Sequence, residues 1–527
     1  MSQQPSERIQ VDVLIVGSGP VGCTFARKLV EAGRSVLMVD AGPRLSGRPG
    51  EHLKNAFIYQ RNIDRFASLI RGHLHPLSVP SGNRPVAARD LLMSLDAGIA
   101  TYAVGGMATH WTGVTPRHHP TVERADCIPA AGWDELYREA ERLLNTHTDV
   151  FADSICHQVV QDALAAEYTD LHDPYGVQHL PLAAQRRQDN PQLVRWSGSD
   201  TVLGPLADGP HDQGDFVLRE QHLCTRLWPA AGGSRIEYAE IQDYANWRTV
   251  HVEADTFVVA CGAVLTPQLL YASSIRPHAL GRYLTEQPVA FCQIVLRDAL
   301  VDGIASDSRF AERVRAYREQ SPHDPVSIPL DDPDPNVWIP VSEDRPWHCQ
   351  IHRDLPYDDM APNWDVDNRL IVDLRWFGLV DPQPENRVCF SDTARDLFGM
   401  PQSTFEFSLD GDDRERQHLM MRDMLRAANA LGTFLPGSEP RFVVPALPLH
   451  ITGTARMGTN ADTSVVDPDS KVWGIENLHL GGNGLIPTGN ASNPTLTSVA
   501  MALRATRKIL GEGRQHAASS HRLVSTR

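Results

Sequence analysis

One stretch near the N-terminus restricts the fold more than any other. Val11-Asp12-Val13-Leu14-Ile15-Val16 is β-branched and apolar and runs directly into Gly17-Ser18-Gly19-Pro20-Val21-Gly22. Cys23 to Ala32 then carries helical apolar spacing and stops at Gly33. Ser35 to Val39 is a second apolar run, and it ends in Asp40, 23 positions after Gly17. A central parallel strand, a glycine turn, a helix, a second strand and an acid form the opening of a dinucleotide-binding α/β domain. Gly17 makes the tight turn, Gly19 lets backbone approach a pyrophosphate, and Gly22 allows helix and strand to pack closely. The helix N-terminus then faces the phosphates. Asp40, followed by Ala41, is placed for ribose hydroxyls and favours FAD or NAD over NADP; the glycines alone do not choose between those two.

Bulk composition narrows the class. A chain of 527 residues has room for about two to four domains. A formal net charge of −16 argues against a nucleic-acid partner and against an anionic membrane surface. No apolar run reaches the roughly 20 residues of a membrane-crossing helix, and Met1 to Arg8 is too polar for a signal peptide. Eight cysteines occur without Cys-x-x-Cys pairing, so neither a zinc site nor a disulfide framework is expected. A reduced, cytoplasmic setting is the resulting expectation.

Further along, Tyr102 to Gly113 contains Gly105-Gly106 followed by Ala108-Thr109-His110-Trp111-Thr112. Paired glycines let backbone lie flat against a planar group. Together with the first strand unit and the C-terminal blocks described below, this loop resembles the GMC (glucose-methanol-choline) flavoprotein oxidoreductases. Ala108 to Thr112 is similar to the Ser-Thr-His-Trp-Thr loop of pyranose 2-oxidases, with Ala108 in place of serine. The resemblance implies FAD, with Thr109, His110 and Thr112 beside the flavin ring and Thr112 near its N5. His110 would carry the flavin covalently; some relatives keep this histidine and hold FAD without a bond, so both arrangements stay open. Cys224, in Leu223 to Leu227, would lie against the adenine; a buried small residue is the alternative.

Gly281 to Val289, Val337 to Val341, Trp347 to Asp354 and Leu370 to Gly378 extend the likeness. Strand alternation places His348, Gln350 and His352 on one face and Cys349 and Ile351 on the other. Amide and imidazole groups on such a face, with Arg375 on a neighbouring strand, suit sugar hydroxyls. Composition alone equally allows a solvated sheet face. The resemblance implies that Gln350, His352, Asp354 and Arg375 contact a sugar. The loop after Asp354 departs from the fungal pattern, which leaves C2 and C3 oxidation both open.

Near the C-terminus lie Pro448-Leu449-His450 and Gly489-Asn490-Ala491-Ser492-Asn493-Pro494-Thr495. Oxidation of an alcohol by a flavin sends hydride to the ring while the hydroxyl proton goes to a base. A neutral histidine suits that task. The resemblance assigns His450 as the base and Asn493 as its partner, with Asn483, Pro494 and Thr495 against the flavin and the helix after Thr495 directed at its pyrimidine.

The expected architecture is α/β, with a Rossmann-like FAD-binding domain in pieces (1–150, 213–275, 441–510). A substrate-binding domain on an antiparallel sheet with helices (276–440), a substrate-side insertion (151–212) and a flexible tail (511–527) complete it. The expected activity is oxidation of a pyranose ring alcohol at C2, or of a glycoside at C3, with O2 giving hydrogen peroxide or a quinone as acceptor. A nicotinamide-dependent dehydrogenase and a non-catalytic flavin-binding protein are the competing classes. No metal is expected.

Overall fold

The computed structural model describes every residue except 1–6, 62, 78–94, 96–97, 191–192, 212–213, 354–365, 444–447, 514–523 and 527. Asp354, expected to touch a sugar, lies outside the described residues. Two large sheets organise the rest.

The first sheet is centred on Glu7–Val16, whose residues 11–16 are all buried. It runs parallel to Val36–Val39 on one side and to Arg248–Val259 on the other. Phe216–Arg219 continues beyond Val36–Val39, and Leu478–Leu480 joins the end of Arg248–Val259, both in parallel. The helices Pro20–Glu31 and Thr495–Gly513 pack against each other over this domain. The sequence predicts a pair of strands over Ile236 to Val252 and a separate buried strand over Thr256 to Ala263. The structure instead has one 12-residue strand, Arg248–Val259, which serves both purposes. Its first half pairs antiparallel with Ile236–Asp243, and its last residues pair parallel with Leu478–Leu480.

Two details differ from the sequence reading. Proline favours a helix's first turn, so Thr266 to Leu270 is expected to open a helix; Pro267 instead lies deeper, inside Gly262–Ala272. A proline removes the N–H that would bond to the carbonyl four residues back. That carbonyl, of Ala263, is taken instead by the hydroxyl of Thr454, four residues beyond His450. At the C-terminus, residues 511–513 extend the last helix and Val524–Thr526 pair with Arg8–Gln10, so these parts of the expected flexible tail are placed.

The second sheet is antiparallel: Gly432–Phe434, Val289–Leu296, Ile371–Gly378, Trp347–His352, Val337–Ile339 and Gln178–His179, in that order. Alternation divides its two faces. Cys349, Ile351, Val372, Leu374, Trp376, Val337 and Ile339 belong to a buried core with Ile155–Glu167 and Gly411–Leu431. A half-buried carboxylate pins the longer helix to this face: Asp423 accepts from Trp347 Nε1 (2.9 Å), Trp376 Nε1 (2.7 Å) and Tyr168 Oη (3.1 Å), and pairs with Arg345. On the other face a row crosses four strands, Arg375, Gln350, Trp338 and Gln178 being register partners in turn.

Candidate active site

The nucleotide cradle fits the ADP part of FAD. Gly19 caps the helix that begins at Pro20, and nothing stands within 4 Å of where its Cβ would lie. Gly22 has no such freedom: a Cβ there would meet Gly17 O at 2.0 Å. Asp40 holds the turn, its carboxylate accepting from Ser18 N (3.0 Å), Ser18 Oγ (2.6 Å) and Gly42 N (2.9 Å). A carboxylate has about four acceptor sites, so one remains for a ribose hydroxyl. Asp40 and Ala41 both keep partial exposure at this point. Ser18 Oγ also accepts from Gly105 N (2.8 Å), joining the cradle to the glycine pair of the flavin loop.

In that loop Thr109 is buried and donates to Gly106 O (2.8 Å). His110 Nε2 lies 2.9 Å from Thr101 Oγ1, and burial pushes its pKa down to about 4. Thr112 is exposed. Asn483 accepts from Ser498 Oγ (2.7 Å), and Thr495 opens the last helix directly after the buried Pro494. Cys224 is buried, with Sγ 3.9 Å from Arg226 O.

His450 and Asn493 meet: Asn493 Nδ2 lies 3.1 Å from His450 Nε2. Three segments create this contact. A bridge between Thr285 and Thr452, closed by backbone bonds of 3.0 and 3.2 Å and a 2.5 Å hydroxyl contact, lays Glu286-Gln287 beside His450. Glu286 accepts from His450 N (3.0 Å), and Gln287 Oε1 lies 2.7 Å from His450 Nδ1. Asn493 is set by the buried Glu123, which accepts from Ala491 N (2.9 Å), Ser492 N (2.7 Å) and Ser492 Oγ (2.9 Å).

The polarity of the network follows from one peptide carbonyl. Gln287 Nε2 donates to Ser492 O at 3.0 Å. A carbonyl only accepts, so the Gln287 amide has one orientation and its Oε1 faces His450 Nδ1. Nδ1 therefore carries the proton, and Nε2 of the neutral ring is a lone pair accepting from Asn493. Asn493 Oδ1 accepts from Gln350 Nε2 at 2.7 Å, and the second hydrogen of that amide goes to His348 Nε2 at 3.1 Å. The indole N–H of Trp338 reaches the same imidazole from the other side, 3.4 Å from His348 Nδ1.

Burial holds the imidazoles neutral. His450 is pushed down to about 4, first by desolvation and then by His118, and His348 to about 3 by desolvation, His450 and His118. The His450 ring also tilts against Phe377, centroids 5.8 Å apart. Glu286 moves the other way, pushed up to about 8 by burial. His352 is buried on the same face as Gln350, and Arg375 Nη2 lies 3.4 Å from Asp373 Oδ2. Sequence reasoning missed Glu123, Glu286, Gln287, His118 and Ser492 as members of the site. Gln287 stood within a block that carried the family likeness; Glu123 and His118 had no comparable local signal.

Comparison with known proteins accords with this geometry. A family profile described as GMC oxidoreductase matches residues 382–502, and one described as NAD(P)-binding Rossmann-like domain matches residues 15–68. The chain is 40% identical to a pyranose 2-oxidase of Tricholoma matsutake, over 94% of this chain and 92% of that protein. It is 37% identical to a C-glycoside 3-oxidase of Microbacterium trichothecenolyticum, over 95% and 97%. The crystal structure of pyridoxine 4-oxidase from Mesorbium loti shares the fold, with a TM-score of 0.67 at 17% identity over 97% of this chain and all of that one. The chain belongs to the GMC oxidoreductases. Its Rossmann-like domain is the FAD domain of that class, and the nicotinamide-dependent dehydrogenase reading falls away.

Proposed function

We propose that this protein is an FAD-dependent oxidase of sugars or glycosides that converts a ring secondary alcohol to a ketone. The carrying observation is the polarised contact of His450 Nε2 with Asn493 Nδ2. A carbinol oxygen entering between them would accept from Asn493 and give its proton to Nε2. Gln287 keeps the other nitrogen protonated, so only Nε2 is available as base. FAD, when bound, supplies the hydride acceptor for the carbinol carbon. Gln350, His352 and Arg375 face the same side of the substrate sheet and are the residues proposed to hold the sugar.

The likeness to proteins named pyranose 2-oxidase supports oxidation at C2. Oxidation at C3 of a glycoside is the second reading, supported by the C-glycoside 3-oxidase relative and by a cavity beside the site. O2, giving hydrogen peroxide, or a quinone would reoxidise the enzyme. Covalent attachment through His110 is proposed on the loop likeness and on its neutral, Thr101-held ring. Acid precipitation tests it: colour in the pellet supports the bond, and colour in the supernatant rejects it. Among the described residues no helix is long and apolar enough to cross a membrane. Incubating the yellow protein with a panel of sugars and glycosides and identifying the keto product tests the activity; no product from any of them would overturn it.

A further inference from the structure

The hydrogen-bonded chain through the catalytic pair has two fixed ends. At one end the carbonyl of Ser492 only accepts, and it sets Gln287, His450 and Asn493 in turn. At the other end the indole N–H of Trp338 only donates, and it reaches His348 Nδ1 at 3.4 Å. Between them, one terminal atom of the Gln350 amide serves both neighbours, 2.7 Å from Asn493 Oδ1 and 3.1 Å from His348 Nε2. That atom presents the same character, donor or acceptor, to Asn493 and to His348.

The two ends disagree by one proton. Followed from Ser492 with His450 neutral, the polarity puts the Gln350 nitrogen against His348 Nε2, so Nδ1 bears the N–H. Followed from Trp338, Nδ1 accepts, Nε2 bears the N–H, and Gln350 presents its oxygen. One added proton, at His450 Nε2, removes the conflict. The cation donates from Nδ1 to Gln287 and from Nε2 to the Asn493 oxygen. Asn493 then donates to the Gln350 oxygen, which also accepts from His348 Nε2, and His348 Nδ1 accepts from Trp338. Asn493 and Gln350 need only exchange the nitrogen and oxygen of their amides. The 3.4 Å contact, the longest in the chain, is the link that the neutral state strains.

We propose that Trp338 and His348 are positioning residues which act through Gln350 and Asn493 to retain the substrate's hydroxyl proton on His450 Nε2. The inference rests on the base role given to His450 above and deepens it. The carbinol O–H bond breaks as the Nε2–H bond forms, and the hydride leaves for the cofactor. While the ketone stays, it parts His450 from Asn493. Once it leaves, Nε2–H meets Asn493 and the chain closes in its complete form. The ionisable groups packed around His450 leave this proton to it. Glu286, against the His450 backbone, is pushed up to about 8 by burial and holds its own at neutral pH. His118 and His348 are pushed down by burial. Glu123, beyond His118, accepts from His119 N, Ala491 N, Ser492 N and Ser492 Oγ.

The test reduces the full-length flavoenzyme anaerobically with an oxidisable sugar or glycoside in weak buffer. An indicator dye counts the protons released per flavin across a range of pH. A hydrogen bond made only in the protonated state is worth about tenfold in proton affinity. Release should therefore begin about one pH unit higher in the wild-type protein than in Trp338→Phe, which keeps a ring but no N–H. His348→Leu cuts the chain one link nearer; it should match Trp338→Phe, and it serves if that variant does not fold. An independent readout is the indole nitrogen-15 signal of Trp338. It should move downfield on reduction by sugar, as the bond to His348 shortens, and should not do so in His450→Ala reduced by dithionite. A release curve that either variant leaves unmoved, or an indole signal that ignores reduction, overturns the proposal while the oxidase reading stands. A yellow protein that no sugar or glycoside reduces overturns both.

Discussion

In the nucleotide half the chain works through its backbone and within one stretch. Between Val11 and Gly42 a strand, a turn, a helix and an acid make the cradle, and the decisive features are positions where a side chain is missing. In the catalytic half the decisive features are side chains, and they come from far apart: Glu123, Gln287, Gln350, His450 and Asn493. The first half offers a glycine turn and a helix N-terminus, features without direction along the reaction. The second imposes a direction, because each amide is oriented by its neighbour back to the carbonyl of Ser492. Damage to the cradle should therefore remove the cofactor, whereas damage to the network should spare it and slow the chemistry.

The largest effect is expected from Gly22→Ala. The new Cβ would sit 2.0 Å from a backbone oxygen that cannot swing away. Overpacking of this kind costs about 3 kcal/mol. Purified variant should have lost most of its flavin, read from the visible spectrum; full flavin occupancy would show that the helix can shift at no cost. Next comes Gln287→Leu, which removes the acceptor from His450 Nδ1. Losing one hydrogen bond to a group that becomes charged costs about 2 kcal/mol, or about 30-fold in kcat. Flavin content should not change, KM should move little, and the acid limb of the kcat profile should shift. A fall in KM-dependent binding alone would mean that Gln287 holds substrate and not the base.

These two halves also differ in how far the sequence alone disclosed them. The cradle was legible because its physics is local: a Gly-x-Gly-x-x-Gly run between an apolar strand and a helix has few other uses. Even there, Asp40 proved to hold Ser18 and Gly42, bonds that its expected ribose role did not foretell. His450 and Asn493 were legible only through family likeness, since nothing near either residue declares a base. Glu123 and His118 were not legible at all. Their meaning arises when the 118–124 segment folds against residues 491–493, a contact that periodicity and spacing do not encode. Pro267 was read by its usual preference for a first turn, and a tertiary partner, Thr454, let it sit deeper.

Smaller effects should appear on changing pH. His450, His348 and His110 have folded pKa values of about 4, 3 and 4, below the ordinary value of about 6.5. The unfolded chain therefore takes up protons first, and stability present above pH about 6.5 is lost as pH falls towards 4. Glu286 has the opposite sign. Its folded pKa, about 8, is raised, so its contribution is complete below the ordinary carboxylate value of about 4.3 and is lost progressively as pH rises to 8. Tm should accordingly peak near neutrality. Glu286→Gln, which replaces a neutral acid by a neutral amide, should change Tm at pH 4 by only about 1 °C, as expected for less than about 0.5 kcal/mol. It should also flatten the decline between neutrality and pH 8. A decline that persists in this variant would assign the basic limb to another group.

The most direct test of the account is the anaerobic rate at which an oxidisable sugar or glycoside bleaches the flavin, compared between the wild-type protein and His450→Ala. With the base gone and the cradle intact, the variant should stay yellow and bleach about 10³-fold more slowly. Bleaching of the variant at the wild-type rate would contradict the assignment of His450 as the group that takes the hydroxyl proton.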